Sequence, residues 1–192
     1  MTTSFFPAKP LGCYGDGGAV FTDDAELAAL INSYKIHGKG SFKYDNVRIG
    51  VNSRLDTLQA AILQVKLKAF ADTELEAVNH AAAQYTQALS GVVKTPGISE
   101  GFLSSWAQYT IMLSSASQRD ALQATLKEQG IPTMIYYPKP MHEQTAFKDT
   151  PFIKGSCRVT ERLCGRVLAL PMHPYLTEEA IDMVASEIKK QI

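Results

Sequence analysis

Apolar positions recur at helical spacing in several stretches of the chain. Behind Asp23 and Glu26, which stand at capping-box spacing, Leu27, Leu30, Ile31 and Tyr34 fall on one face of a helix. That helix is expected to stop at His37-Gly38, where glycine suits a left-handed C-cap. Ser53 as N-cap with Asp56 at N3 opens the longest pattern, carried by Leu55, Leu58, Ile62, Val65 and Ala69. A further helix over Thr73–Leu89 puts Leu75, Val78, Ala82, Tyr85 and Leu89 on one side, and Gly91 ends it. Ser117–Gln129 carries Leu122 and Leu126 inward with Gly130 behind it, and Thr177 starts a last helix through Ile181, Val184 and Ile188.

Strand spacing is shorter in reach. Leu11–Tyr14 and Ala19–Phe21 flank Gly15-Asp16-Gly17-Gly18, a tight-hairpin signal because an Asp-Gly turn takes positive φ. Trp106–Leu113, Ile131–Tyr137 and Val167–Leu170 are rich in strand-forming residues. They are expected to close as a three-stranded antiparallel sheet packed on helices, since one sheet face must be buried. Residues 38–51 show no period and read as a loop. Loops of that length are usually functional or disordered. Its Lys39, Lys43 and Arg48 with Phe42 and Tyr44 suit either a cover over an anionic ligand or a solvated surface.

Composition narrows the function classes. A chain of 192 residues with 45% hydrophobic and 20% charged residues can bury a core. Nineteen basic and nineteen acidic residues cancel, so no field for nucleic acid or an anionic membrane is expected. The three cysteines form no C-x-x-C pair, which points away from a disulfide framework or zinc knuckle. His142 and His173 lack metal-ligand spacing. With no signal-peptide pattern and no long apolar run, a cytoplasmic protein is expected.

Candidate chemistry starts at Lys9. It stands between Pro7 and Pro10, beside Phe5-Phe6 and ahead of a glycine-rich stretch. A buried Phe5-Phe6 pair and two fixed backbone positions would partly desolvate the lysine and free its amine for imine chemistry. Asn52 and Arg54 flank an expected helix N-terminus, a ready anion site; an ordinary capped helix is the plainer alternative.

At these residues the chain resembles a known family. Ser4-Phe5-Phe6-Pro7-Ala8-Lys9-Pro10-Leu11-Gly12-Cys13-Tyr14-Gly15-Asp16-Gly17-Gly18-Ala19 resembles the Schiff-base lysine segment of the DegT/DnrJ/EryC1/StrS family. Those are fold type I sugar aminotransferases that use pyridoxal 5′-phosphate (PLP). Gly50-Val51-Asn52-Ser53-Arg54-Leu55-Asp56-Thr57-Leu58-Gln59-Ala60-Ala61 is similar to the family signature G-x-N-x-R-x-x-x-x-x-A-A. By that resemblance Lys9 holds PLP, Asn52 reaches its phosphate across a dimer interface, and Arg54 lies near the anionic part of the substrate. The loop opening at His37-Gly38 is similar to a family loop, which implies a substrate-side place for His37. Tyr136-Tyr137-Pro138-Lys139-Pro140-Met141-His142-Glu143-Gln144 resembles the family's His-Tyr-Pro-x-Pro-Leu-His-x-Gln. It implies that Tyr136 and Tyr137 lie near the sugar, with Tyr136 where the family has His. Leu170–Leu176 is similar to the family's turn into its final helix.

The resemblance implies an α/β (α+β) architecture. It would be the C-terminal part of the PLP-transferase large domain plus a small α+β domain with that three-stranded sheet. Residues 1–72 would be a remnant of the large domain with the Schiff-base hairpin and dimer helix. Residues 73–192 would be the linking helix and small domain. Because the lysine is ninth, the chain looks like the C-terminal half of such an enzyme. The ring-stacking aromatic, the Asp at the ring nitrogen and most phosphate ligands would then lie elsewhere. The implied reaction is transamination of a keto nucleotide-sugar, with glutamate as donor, in polysaccharide or O-antigen-type sugar biosynthesis. The implied partners are a second copy, as a homodimer or higher oligomer, or a separate N-terminal half. The rival readings are a truncated, non-catalytic module that dimerises or pairs with that half, and a nucleotide-sugar binding domain without chemistry.

Overall fold

The computed structural model describes residues 1–192. They form two units, Met1–Asp72 and Thr73–Ile192.

In the first unit β1 (Thr2–Ser4) pairs antiparallel with β2 (Gly18–Val20), Thr3 opposite Ala19. The expected hairpin between Leu11–Tyr14 and Ala19–Phe21 is not formed. None of Gly15, Asp16, Gly17 and Gly18 takes positive φ, so there is no tight turn. β2 takes its partner from the chain start, and residues 5–17 become the loop between the strands. Helix α1 (Ala25–Tyr34) is capped by Asp24, which accepts from Leu27 N at 2.9 Å, one residue later than the capping-box spacing suggests.

Helix α2 (Thr57–Ala69) begins behind Asp56, not Ser53. The backbone around Ser53 is committed elsewhere. Ser53 N donates to Lys35 O and Val51 N to Tyr34 O, each at 2.9 Å, which holds this segment extended beside the end of α1. Asn52 and Arg54 therefore precede the helix and do not form its N-terminus. Of the apolar pattern along α2, Leu58 and Val65 remain 79% and 75% exposed, and the one buried residue of the helix is Leu63, outside that pattern.

A π-helical turn, Phe70–Glu74, leads from α2 to α3 (Leu75–Ala88). The second unit is built on β3 (Tyr109–Met112) and β4 (Val167–Leu170), antiparallel with Tyr109 opposite Leu170. Around them pack α3, α4 (Ala116–Glu128) and α6 (Glu178–Gln191). The expected third strand, Ile131–Tyr137, is reduced to one bridge in which Met134 and Ala169 exchange bonds of 3.2 and 2.8 Å. Pro132 and Pro138 have no N–H to extend a ladder. A short helix, α5 (Arg158–Cys164), precedes β4 where no helical period shows.

Tyr85, Leu89, Tyr109, Ile111, Leu122, Leu126, Leu168 and Ile188 make the centre of the core. Tyr85 and Tyr109 stack with ring centroids 5.2 Å apart. Arg119 is buried as well; its guanidinium donates to Cys164 O at 3.1 Å and bonds Asp120 at 2.6 Å. No helix is long and apolar enough to cross a membrane.

Candidate active-site segments

Lys9 stands on the loop that joins β1 to β2. The loop is laced across its own base: Phe5 N donates to Gly17 O and Cys13 N to Phe5 O, both at 2.8 Å. Cys13 is fully buried, and its thiol lies 3.0 Å from the carbonyls of Phe5 and Gly15. Phe5, Pro10 and Leu11 are half-buried beside Cys13. Phe6 is 52% exposed and Lys9 is exposed. The expected burial of the Phe5-Phe6 pair, and with it the desolvation of Lys9, is not supplied by this chain's own residues.

The loop rests on the start of α2. Gln59 Oε1 accepts from Tyr14 N at 2.8 Å, and Leu55 Cδ1 lies 3.0 Å from where a Cβ on Gly17 would stand. Through Leu55 and Gln59 the Lys9 loop is joined to the segment that carries Asn52 and Arg54.

His37 meets the same segment from the other side. His37 N donates to Val51 O at 3.0 Å, and Ile36 bridges Asn52. Here the glycines serve contact as well as conformation. Gly38 has φ 74°, and a Cβ on it would stand 1.8 Å from Arg48 O. Residues 38–51 fold back on themselves through Val47 N to Gly38 O (2.9 Å) and Gly40 N to Asp45 O (2.7 Å). Arg48 is spent on the end of α1, on the Ser33 hydroxyl and the Tyr34 ring. Phe42, Tyr44 and Ile49 project from it, 74%, 87% and 95% exposed.

The first unit thus carries Lys9, His37, Asn52 and Arg54 on exposed positions. The side chains of these residues make no hydrogen bond or ion pair within the chain. An amine, an amide and a guanidinium left free in one unit are a donor set suited to an anionic, carbonyl-bearing ligand. Tyr136 and Tyr137 belong to the second unit, where their rings meet edge-on at 5.5 Å and both are exposed.

The second unit also holds a cluster that spacing did not reveal. His142 Nε2 lies 3.2 Å from Glu161 Oε1 and 3.9 Å from Glu143, and its ring packs on Phe152 at 4.8 Å. The donor atoms of the three fall within 4.8 Å of one another. Glu161 comes from α5, 19 residues along the chain, so no local pattern announces the pair.

Residues 1–189 match the model of the DegT/DnrJ/EryC1/StrS aminotransferase family. A UDP-2-acetamido-2-deoxy-3-oxo-D-glucuronate aminotransferase from Pseudomonas aeruginosa is 44% identical over 187 residues, 97% of this chain and 50% of that protein. The crystal structure of a DegT DnrJ EryC1 StrS aminotransferase from Brucella abortus matches with a TM-score of 0.92 and 53% identity. That match covers 98% of this chain and 50% of the other. A Bacillus subtilis protein solved with bound cofactor PMP gives a TM-score of 0.85 at 28% identity, over 98% of this chain and 45% of its own. The chain spans about half the length of the curated relatives it matches.

Proposed function

The chain belongs to the DegT/DnrJ/EryC1/StrS aminotransferase family, and on that premise we propose that it supplies the lysine-bearing part of a PLP-dependent nucleotide-sugar aminotransferase. The observation that carries this reading is the placement of Lys9. Its amine is free and exposed on a loop whose backbone is tied down at both arms and to α2.

The free donor set fits the cofactor. Lys9 would hold it covalently, and the Asn52 amide of a second copy would donate to its phosphate across a dimer interface. PLP, when bound, supplies an electron sink for charge that develops at the carbon next to the substrate nitrogen. The chain's residues do the rest. The Lys9 amine would serve as the general base that takes the proton from that carbon and the acid that delivers it to the carbon on the far side of the nitrogen. Arg54 offers a planar, bidentate partner to a carboxylate or a diphosphate, the anionic parts of glutamate and of a nucleotide-sugar. His37, Tyr136 and Tyr137 are proposed as substrate contacts; their exposed rings can stack on or hydrogen-bond a sugar.

A second reading is favoured by one feature of the first unit. Phe42, Tyr44, Val47, Ile49 and Val51 follow one another as exposed apolar side chains in a single loop, more than scattered surface residues explain. That suits a module that works only against another surface, by dimerising or by pairing with a separate polypeptide that holds the rest of the site.

Titration of the chain with PLP separates the readings. A protein-bound absorbance band that Lys9→Ala abolishes and glutamate bleaches supports the catalytic reading for the chain alone. No band in a folded chain, with a band appearing once a polypeptide for the remaining half of a relative is added, supports the dependent module. No band in either case removes Lys9 from the proposal.

A further inference from the structure

We propose that Gln59 is a positioning residue for the Lys9 loop: acting through Tyr14, it ties the loop to the first turn of α2 and so fixes where the loop presents the lysine. The inference rests on the reading of Lys9 as the reactive amine.

Helix α2 starts at Thr57, which makes Gln59 its N3 residue. A glutamine there ordinarily reaches back to the N-cap backbone N–H and completes a capping box. Here no such local arrangement exists, since Asp56 makes no side-chain cap bond. Gln59 spends its carbonyl on Tyr14 N instead, 45 residues away, at 2.8 Å. A local preference broken at both cap positions in favour of one long-range bond is the signature of a functional constraint. Core packing does not account for the bond, because Tyr14 is 75% exposed.

Neighbouring contacts line up with it. A Cβ on Gly15 would lie 3.0 Å from Gln59 Nε2, so the amide covers a backbone that only glycine leaves bare. Just before the helix, Leu55 covers Gly17 in the same way. Two turns beyond Gln59, the Lys66 ammonium stands 5.6 Å over the Tyr14 ring. The far arm of the loop is therefore laid along one face of α2, and Cys13 passes that placement to the Phe5 arm. Lys9, between the arms, has no bond of its own to fix its amine. Its position is the loop's position.

The test uses the full chain with Gln59→Leu, which keeps a side chain that suits a helix and loses the acceptor, and Gln59→Glu, which keeps the acceptor. Gly15→Ala disturbs the same contact from the loop side and guards against a misfolded helix variant. Two quantities are read: hydrogen exchange at the Tyr14 amide, and the yield of reductive pyridoxylation at Lys9, using PLP and borohydride, relative to that at Lys139. Losing one hydrogen bond should speed Tyr14 exchange about 5-fold in Gln59→Leu and Gly15→Ala, with Gln59→Glu within about 2-fold of the parent. The Lys9 yield should fall in the first two and recover in Gln59→Glu. Unchanged Tyr14 exchange overturns the clamp. Faster exchange with an unchanged Lys9 yield overturns the positioning role. Should the parent chain label Lys9 no better than Lys139, it is the reading of Lys9 that fails, and the exchange data still decide whether Gln59 holds the loop.

Discussion

A single methyl group separates two glycines that look alike on φ. Gly130 and Gly38 both sit in the left-handed region, at 73° and 74°. Around Gly130 there is nothing within 4 Å of an added Cβ, whereas around Gly38 the Arg48 carbonyl oxygen lies at 1.8 Å. Gly130→Ala should cost about 1 kcal/mol, the backbone penalty alone. Gly38→Ala should cost at least about 3 kcal/mol of local stability, because the 38–51 loop must shift as well. Hydrogen exchange at Val47 N, which bonds Gly38 O, reads the second change directly. The other residue-scale prediction concerns phenols. Burial, with the charge of Tyr109 adding to it, pushes the Tyr85 hydroxyl far above its ordinary 10.0, and burial raises Tyr109 too. Both stay protonated in the folded chain while the unfolded chain loses those protons. Stability of the second unit is therefore full below about pH 10 and falls above it. Tyr85→Phe should flatten that fall in denaturant titrations, at little cost near neutrality, since the hydroxyl has no hydrogen-bond partner. What the sequence reveals at this scale is chemical type. Lys9, Asn52 and Arg54 are legible as candidates, but Gln59 and Glu161 are not, because their partners lie 45 and 19 residues away.

At the scale of elements, legibility follows the strength of the local signal. Thr177 caps α6 by accepting from Ala180 N at 3.2 Å, and Ile181, Val184 and Ile188 are all buried behind it, as their spacing implies. Thr177→Ala should lower the melting free energy by about 1 kcal/mol; an unchanged denaturant midpoint would contradict the cap. Gly130 ends α4 in a motif visible in advance, with Ile131 N bonding Leu126 O at 2.8 Å and Gly130 N bonding Lys127 O at 3.0 Å. Where long-range bonds decide, local reading errs. Ser53 has every mark of an N-cap, yet its backbone joins the end of α1. Gly15 and Gly17 look like part of a turn but lie under the side chains of Gln59 and Leu55. α5 is too short to show a period.

For the whole molecule the contrast is between the two units. The second holds nearly all of the buried apolar side chains; in the first, only Cys13 and Leu63 are counted among them. A polypeptide of residues 73–192 should therefore melt cooperatively by itself, and residues 1–72 alone should not. A sigmoidal melt from the shorter piece would refute this. Every proposed cofactor contact lies in the unit with the smaller core, consistent with sites being drawn from the less stable parts of a protein. The period of α2 marks a face on which Leu58 and Val65 stay bare in this chain, while the residue it buries is Leu63, outside that pattern.

Cys13 gives that loop a clock. Its thiol is sealed at 0% exposure, Cys164 in the second unit is nearly as inaccessible at 9%, and Cys157 is partly open. An alkylating reagent should consume Cys157 first and then wait on opening at the other two. In the slow-reagent regime each lag measures an opening equilibrium, one for the lysine loop and one for the β3–β4 core. A single time course of mass spectra would thus time both units in one sample, and a ligand that settles on Lys9 would announce itself as a longer delay at Cys13 with Cys164 unmoved.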